Sequence, residues 1–208
     1  MNVTILGTGA MGRAIATRAL AGGARVEFVG TALAKAEDLL DEFEGLGEVA
    51  ASEVVTGDLV VLAVPYTEAT HAVRQHEGEL AGKVIVDPTN PIDLATLEPL
   101  SDVVGSGAET IAAAAPDGAA VVKAFNPVFA GTLVAGEVAG QPPDVFLAGD
   151  DGDAKEQVAD LARKGGLRPL DAGPLRRAHE LEGLAVVHMN VQDQFGMSFA
   201  TELKVLSP

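Results

Sequence analysis

The chain has no cysteine and no tryptophan among its 208 residues, and aromatic residues make up only 4% of it. The absence of cysteine excludes disulfides, thiolate metal sites, iron–sulfur ligation and cysteine nucleophiles. Basic residues are scarce as well: 14 stand against 30 acidic ones, which gives a net charge of −16. A field of that sign repels nucleic acids and anionic membranes, so we expect neither as a partner.

Long apolar runs are also missing. No stretch approaches the roughly 20 uninterrupted apolar residues that a membrane-spanning helix needs, and the strand-like segment 2–6 is not preceded by a basic region or followed by a cleavage site. We therefore expect no membrane partner and a cytoplasmic location. Apolar residues still account for 48% of the chain, which is enough for a sizeable core.

Motifs for metal binding and for nucleophilic catalysis are absent from the sequence. The four histidines lack metal-ligand spacing and no G-x-S-x-G elbow occurs, so no metal site and no catalytic residue is predicted. His188 shares a predicted helical face with Leu181, Leu184 and Phe195. Packing in the core is the favoured interpretation of His188, and a side chain facing a cofactor is the alternative.

Short apolar runs alternate with helical patterns along the whole chain, which is typical of a parallel sheet with helical crossovers. Strands are predicted at 2–6, 25–29, 59–64, 83–86, 120–125, 145–149 and 167–173, and helices at 10–22, 33–43, 67–78, 107–115, 150–166 and 174–195. The pattern predicts an α/β protein with a Rossmann-type, doubly wound, mainly parallel sheet and a C-terminal helical extension. No linker interrupts it, so residues 1–208 are expected to form one domain. Its core would be 1–125, and 126–208 would extend the sheet and form an acceptor cleft.

The first turn of this pattern carries a glycine motif. Gly7, Thr8, Gly9, Ala10, Met11 and Gly12 match G-x-G-x-x-G, directly after a predicted strand and at the start of a predicted helix. In such a motif the first glycine permits the tight turn, the second lets a diphosphate approach the backbone, and the third lets helix and strand pack closely. The motif predicts a dinucleotide site whose phosphates face the helix N-terminus. The alternative is a glycine-rich turn without a ligand.

The end of the second strand distinguishes the two nicotinamide dinucleotides. NAD sites usually place a carboxylate there for the ribose 2′-hydroxyl. Here Thr31 follows the strand, Glu27 comes too early, and the next acid is Glu37. Thr31 and Lys35, with Arg13 as a further candidate, can hold a 2′-phosphate, so NADP(H) is favoured over NAD. A solvated surface lysine is the alternative interpretation of Lys35.

Two further turns are predicted at the carboxyl edge of the sheet, where open α/β folds bind ligands. Ala63, Val64 and Pro65 end a central strand and are expected to border the nicotinamide ribose. Asn90 follows the next strand and can hydrogen-bond the cofactor; a plain turn between two prolines is the alternative. Because no acid–base pair is evident, direct hydride transfer between two bound rings, which need only lie ~3–3.5 Å apart, suits these residues best.

Taken together, the motifs resemble a known family. The glycine motif with segments 59–65, 83–91, 121–126 and 166–175 is similar to the NADP-dependent reductases of the deazaflavin coenzyme F420. The resemblance implies NADP(H) along residues 7–12 and 31–35. It also implies a second, planar redox partner, a deazaflavin, in a cleft near Asn126 and Met197.

Other functions stay open at this point. Segment 123–131 is closer to the reductase domains of membrane ferric reductases, which use flavin, so an NADPH-dependent flavin or ferric reductase is one alternative. A non-catalytic NADP-binding sensor module is another. Leu181, Leu184, Val187 and Val191 lie along one side of the last predicted helix and favour a homodimer.

Overall fold

The computed structural model describes residues 1–93 and 95–206. Its strands are β1 (Asn2–Leu6), β2 (Arg25–Val29), β3 (Val49–Ser52), β4 (Leu59–Leu62), β5 (Val84–Asp87), β6 (Ala120–Ala124), β7 (Asp144–Gly149) and β8 (Arg168–Gly173). Its helices are α1 (Ala10–Ala21), α2 (Leu33–Glu37), α3 (Tyr66–Gln75), α4 (Glu77–Leu80), α5 (Gly107–Ala114), α6 (Ala130–Ala135), α7 (Gly152–Lys164) and α8 (Ala178–Phe195).

All eight strands join one sheet in the order β3-β2-β1-β4-β5-β6-β7-β8. Strands β1 to β6 are parallel to one another, β7 runs antiparallel to β6, and β8 is parallel to β7. The α/β, mainly parallel Rossmann-type fold predicted from the sequence is confirmed, and so is the helix at the C-terminal end.

Helices cover both faces of the sheet, which explains why the central strand β4 is apolar at every position. One core lies between the sheet and α1, α6 and α7, where α1 packs on α6 and α7. The other core lies between the opposite face and α3, α5 and α8. Residues of β4 such as Val60 and Val61 therefore point into different cores although both are fully buried.

Local differences from the sequence prediction have physical causes. Strand β3 was not predicted, because its residues VAAS are only partly buried and form neither an apolar run nor a clear alternation. The single helix predicted at 33–43 is wrong: α2 ends at Glu37, and a 3₁₀ turn follows at Leu40–Phe43. The last helix begins at Ala178 rather than at 174, because a 3₁₀ turn at Leu175–Arg177 precedes it.

The apolar side chains of α8 divide between the core and the surface. Leu181 is buried, Leu184 and Val191 are half-buried, and Val187 is 60% exposed. Part of the expected apolar stripe therefore packs within the same chain, and the homodimer stays a prediction. Across the described ranges, none of the helices combines the length and apolar character needed to cross a bilayer.

The strand order reverses between β1 and β4. In open α/β sheets, the crevice outside the carboxyl ends of the strands at such a reversal is where ligands bind. The turn after β1 holds the glycine motif, and the turn after β4 holds residues 63–65. The fold thus brings two predicted parts of the site to one crevice.

Candidate functional site

Gly7 has a backbone conformation that few other residues adopt. Its φ is +114°, and its amide donates to the Val29 carbonyl oxygen at 2.9 Å. A Cβ built on Gly7 would lie 2.2 Å from the Ala63 carbonyl oxygen. Because that neighbour is backbone, it cannot swing away as a side chain can. Glycine at this position is therefore what allows the turns after β1, β2 and β4 to meet.

Gly9 lies at the N-cap of α1 and opens onto free space. Its backbone is extended, with φ −78° and ψ −179°, and an added Cβ would have no neighbour within 4 Å. The first turn of α1 contains no acidic residue. The amides of this turn carry the partial positive charge of a helix N-terminus, so the open cradle fits the diphosphate of a dinucleotide.

The other residues of the motif lie around that cradle. Gly12 is buried, and its Cβ would come within 2.8 Å of the Gly7 carbonyl oxygen and 3.1 Å of the Ala63 Cβ. The missing side chain therefore brings α1 close to β1 and β4. Thr8 and Met11 are half-buried and Ala10 is exposed, so all three border the opening.

The residues predicted for the 2′-phosphate are found side by side. The Lys35 ammonium donates to the Thr31 hydroxyl at 3.3 Å, and both side chains are exposed. Arg13 is less available, because its guanidinium binds Glu42 at 2.8 Å and the Thr8 carbonyl oxygen at 3.1 Å. Thr31 and Lys35 therefore form the open polar corner next to the glycine loop.

Glu27 has a structural role at the opposite edge of the sheet. Its carboxylate accepts hydrogen bonds from the Thr56 amide at 2.6 Å, the Thr56 hydroxyl at 2.7 Å and the Gly57 amide at 3.3 Å. The Thr4 hydroxyl donates to it as well. These bonds fix the turn before β4 and keep this carboxylate away from the carboxyl end of β2.

A cleft of about 460 Å³ lies beside the glycine loop at the carboxyl edge of the sheet. Val64, Pro65 and Asn90, all predicted from the sequence, line it. Its other lining residues are Tyr66, Thr67, Thr89, Ile92, Asp93, Leu100 and Met189. Side chains of the long loop after β5 and of α8 thus complete a wall that local patterns did not reveal.

Asn90 and Asn126 bind each other across two turns. The Asn126 amide donates to Asn90 Oδ1 at 2.9 Å and to the Leu181 carbonyl oxygen at 2.9 Å, and the Asn90 amide donates to the Asn126 carbonyl oxygen at 3.1 Å. Asn126 is buried behind Asn90, so it supports the cleft wall. Met197 is 41% exposed and is not among the cleft residues, whereas Met189 is.

Phe125, immediately before Asn126, has an unusual backbone. It is fully buried with φ +65°, a region that non-glycine residues rarely adopt. Strained backbone of this kind persists where the surrounding structure over-determines it, often at functional sites. Here the strained residue lies in the sharp turn after β6, and this turn places Asn126 behind the cleft wall.

A buried cluster of charges lies below this wall. Lys123, with no exposed surface, contacts Asp87 at 2.9 Å, Glu182 at 2.8 Å and the Thr89 carbonyl oxygen at 2.5 Å. Glu182 also accepts from the first two amides of α5, at 3.0 and 3.2 Å. This cluster was not predicted from the sequence. The one available signal was that Asp87 and Lys123 lie near the ends of two apolar segments, which pair with each other in the sheet.

His188 is a core residue, as the favoured interpretation held. It is 3% exposed, and its ring packs on Phe129 with the ring centroids 4.3 Å apart. Nδ1 lies 2.9 Å from the Pro127 carbonyl oxygen, which only accepts, so Nδ1 carries the proton. Nε2 then accepts from the Thr201 hydroxyl at 2.8 Å. Burial lowers the pKa of His188, which favours this neutral ring.

The segment after α8 packs against β7, and two carboxyl groups, those of Asp144 and Glu202, lie at this contact. Burial would raise the pKa of Asp144, but hydrogen bonds from Arg168 and Lys204 lower it to about 2. Burial raises the pKa of Glu202 to about 7. Glu202 accepts from the Asp144 amide at 2.7 Å, so its carboxyl group is held against a carboxylate.

Because the pKa of Glu202 is higher in the folded chain than the ordinary value of 4.5, its contribution to stability is complete below pH 4.5 and is lost as the pH rises through about 7. We expect Glu202→Gln to raise the free energy of unfolding at pH 8 by roughly 1–2 kcal/mol, after allowance for solvent screening, and to change it little at pH 4.5. Urea unfolding of both proteins at the two pH values measures this. An equal difference at both pH values would contradict the assignment.

Residues 1–93 and 95–206 contain no group of three or more His, Asp or Glu side chains arranged to hold a metal ion. The chemical resources of the site are therefore an open helix N-terminus, an exposed Thr–Lys corner and a largely apolar cleft between them and α8. This arrangement suits a dinucleotide whose reactive ring reaches the cleft.

Comparison with known proteins agrees with this geometry. Residues 2–91 match the model of the family described as NADP oxidoreductase, coenzyme F420-dependent. The F420-dependent NADP reductase of Methanocaldococcus jannaschii is 28% identical over 212 residues, covering 92% of this chain and 93% of that protein. A crystal structure from Arthrobacter sp. FB24, of a protein provisionally assigned as an F420-dependent NADP reductase, matches all of both chains with a TM-score of 0.83 and 28% identity.

A mammalian relative is also similar. The metalloreductase STEAP3 of Rattus norvegicus is 35% identical over 183 residues, which cover 88% of this chain. That region is only 36% of the rat protein, so this chain spans about a third of its length.

The fold and the site define an NADP-dependent oxidoreductase of the Rossmann type. Within that class, residues 2–91 match the coenzyme F420-dependent NADP oxidoreductase family, and the chain is similar to F420-dependent NADP reductases over nearly its whole length.

Proposed function

We propose that this protein transfers hydride directly between NADP(H) and a deazaflavin coenzyme of the F420 type. The observation that carries the proposal is the cleft at the switch point of the sheet, which adjoins the glycine loop and has apolar walls from Val64, Pro65, Ile92, Leu100 and Met189. Apolar walls suit planar rings, and binding two rings in contact accounts for much of the rate of such a reaction.

In this reaction the side chains need only bind and orient the two ligands. Bound NADPH would supply a hydride to a carbon of the deazaflavin ring, and a proton from water would complete the reduced product. The chain would hold NADP(H) through residues 7–12, through Thr31 and Lys35, and through the turns at Ala63–Pro65 and Asn90. Residues 126–208 would supply the acceptor side, with Met189 of α8 on the cleft wall and Asn126 behind it.

Two observations favour the family's deazaflavin chemistry over a sensor module. The cleft of about 460 Å³ is within the size range of small-molecule sites, and the F420-dependent NADP reductases of two archaea match over nearly their whole length. A reductase that passes electrons to a flavin or to ferric iron is the second candidate. It is favoured by the similarity to the rat metalloreductase over 88% of this chain.

Steady-state turnover of NADPH with oxidised F420, FMN and ferric citrate separates these functions. We expect turnover with F420 to exceed turnover with the other two acceptors by at least about tenfold, since a cleft built for one acceptor rejects poor fits. With NADPH deuterated at the transferred position, the label should appear in the deazaflavin product. Faster reduction of FMN or ferric citrate would support the second candidate. NADPH binding without turnover on any acceptor would indicate a sensor module.

A further inference from the structure

We propose that Lys123 is a positioning residue, which through its buried ammonium group fixes the turn Thr89–Asn90 and with it one wall of the reaction cleft. The proposal deepens the proposed function, since it concerns the same cleft. It identifies a residue that touches neither ring and acts through the backbone of the turn.

The first reason is that every N–H donor of the Lys123 ammonium group has an acceptor. An ammonium has three N–H donors, and Lys123 has three acceptors: Asp87 at 2.9 Å, Glu182 at 2.8 Å and the Thr89 carbonyl oxygen at 2.5 Å. Lys123 is completely buried, so water cannot replace any of them. The position of the Thr89 carbonyl group is therefore tied to the position of Lys123.

The second reason is that Asp87 binds the same turn from the other side. Its Oδ1 accepts from the Thr89 amide at 2.8 Å and from the Thr89 hydroxyl at 2.7 Å. Asp87 and Lys123 are paired in register at the carboxyl end of the β5–β6 ladder. The amide and the carbonyl group of Thr89 are thus both bound to the Asp87–Lys123 ion pair. This contact lies just after the end of β5, where the cleft begins.

The third reason is that this turn forms part of the cleft. Thr89 and Asn90 both line it, and Asn90 is bound to Asn126 at the end of β6. Glu182 anchors the same ammonium to α8 and to the first turn of α5. A single buried group therefore joins β5, β6, α5 and α8 around one wall of the cleft.

Stability alone does not account for such a cluster. Taking charges out of water is costly, and replacing a buried ion pair by apolar residues is often neutral or stabilising. The neighbours of Lys123 along β6, Val122 and Ala124, are apolar and buried. A third apolar residue would pack there without the cost of desolvation, but it would leave the Thr89 carbonyl group unbound.

The test compares the double variant Asp87→Asn/Lys123→Met with Glu27→Gln. The double variant removes one charge of each sign, and the amide introduced at position 87 still offers an oxygen to Thr89. Glu27 is a partly buried carboxylate with several hydrogen bonds at the opposite edge of the sheet, so Glu27→Gln controls for general loss of stability.

For the double variant we expect kcat for deazaflavin reduction to fall on the order of 100-fold, because small misplacements of a bound reactant cost about that much. The dissociation constant for NADPH should change much less than kcat, by less than about tenfold, since the glycine loop is untouched and only the contact at Asn90 is disturbed. Glu27→Gln should leave kcat unchanged. Hydrogen exchange at the Thr89 and Asn90 amides should accelerate at least about tenfold in the double variant only, as expected for a local opening.

Lys123→Arg provides a second variant if the double variant does not fold. It keeps the charge balance, but a planar guanidinium cannot direct its donors as the ammonium does, so we expect a folded protein with reduced kcat and faster exchange at Thr89. If the wild-type protein does not reduce deazaflavin, the proposed function fails, while the exchange comparison still decides the role of Lys123. A folded variant with unchanged kcat and unchanged exchange at Thr89 would overturn the proposal.

Discussion

Replacing Gly9 with valine is expected to abolish NADPH binding in a protein that still folds. The backbone of Gly9 is extended rather than left-handed, so valine adopts it without strain. The built Cβ has no neighbour within 4 Å, so valine displaces no part of the protein. Its methyl groups occupy the space in front of the first turn of α1, which is where the diphosphate must approach.

We expect the affinity for NADPH to fall at least about 100-fold, which corresponds to roughly 2.8 kcal/mol of binding free energy. The cost to folding should be about 1 kcal/mol, since valine is a poorer N-cap than glycine but displaces no neighbouring atom. Titration of NADPH fluorescence measures the affinity, and thermal unfolding without ligand confirms the fold. Gly7 is unsuitable for this test, because a Cβ there meets backbone at 2.2 Å and loss of binding would follow from misfolding.

Gly152→Val is the matched control. Gly152 is the first residue of α7, it also has no neighbour within 4 Å of an added Cβ, and it lies away from the cleft. The control should bind NADPH like the wild-type protein. Tight binding retained by Gly9→Val would show that the diphosphate is not held at the start of α1.

Thr31→Asp is expected to shift the preference of the protein from NADPH towards NADH. Thr31 is exposed, and the Lys35 ammonium lies 3.3 Å from its hydroxyl. An aspartate at position 31 would pair with Lys35 and repel a 2′-phosphate at the same time. It would also offer a carboxylate to the ribose 2′-hydroxyl, as NAD sites do.

Losing one charge-assisted interaction of about 1.5–3 kcal/mol predicts a roughly 10- to 100-fold weaker affinity for NADPH. The affinity for NADH should stay the same or improve. Thr31→Asn has nearly the same size without the charge, and it should retain the preference for NADPH. Parallel titrations with both dinucleotides give the ratio. A ratio unchanged by Thr31→Asp would place the 2′-phosphate elsewhere.

The part of the fold that we propose to bind the dinucleotide was predictable because its signals are local. Three glycines at fixed spacing between an apolar run and a helical pattern specify a strand, a turn and a helix. The glycine at position 7 is required by a close approach to Ala63, which the motif encodes even though Ala63 is distant in sequence. The order and direction of the last strands were less accessible. Nothing in the residues of β7 shows that it runs antiparallel to β6.

The wall of the cleft that we propose to face the acceptor was the hardest part to predict. Met189 lines the cleft because of how α8 packs, and no local pattern distinguishes it from other apolar residues of that helix. A lysine such as Lys123, inside an apolar strand, is normally expected to point to solvent. Its partner Glu182 lies on a different element, so only the tertiary structure reveals that the lysine is buried and paired.

A crystal structure of the protein with bound NADP⁺ tests the central claim most directly. The account predicts the diphosphate within hydrogen-bonding distance of the amides at residues 9–11, the 2′-phosphate beside Thr31 and Lys35, and the nicotinamide ring in the cleft between Pro65 and Asn90. A dinucleotide bound elsewhere, or a nicotinamide directed away from that cleft, would contradict it.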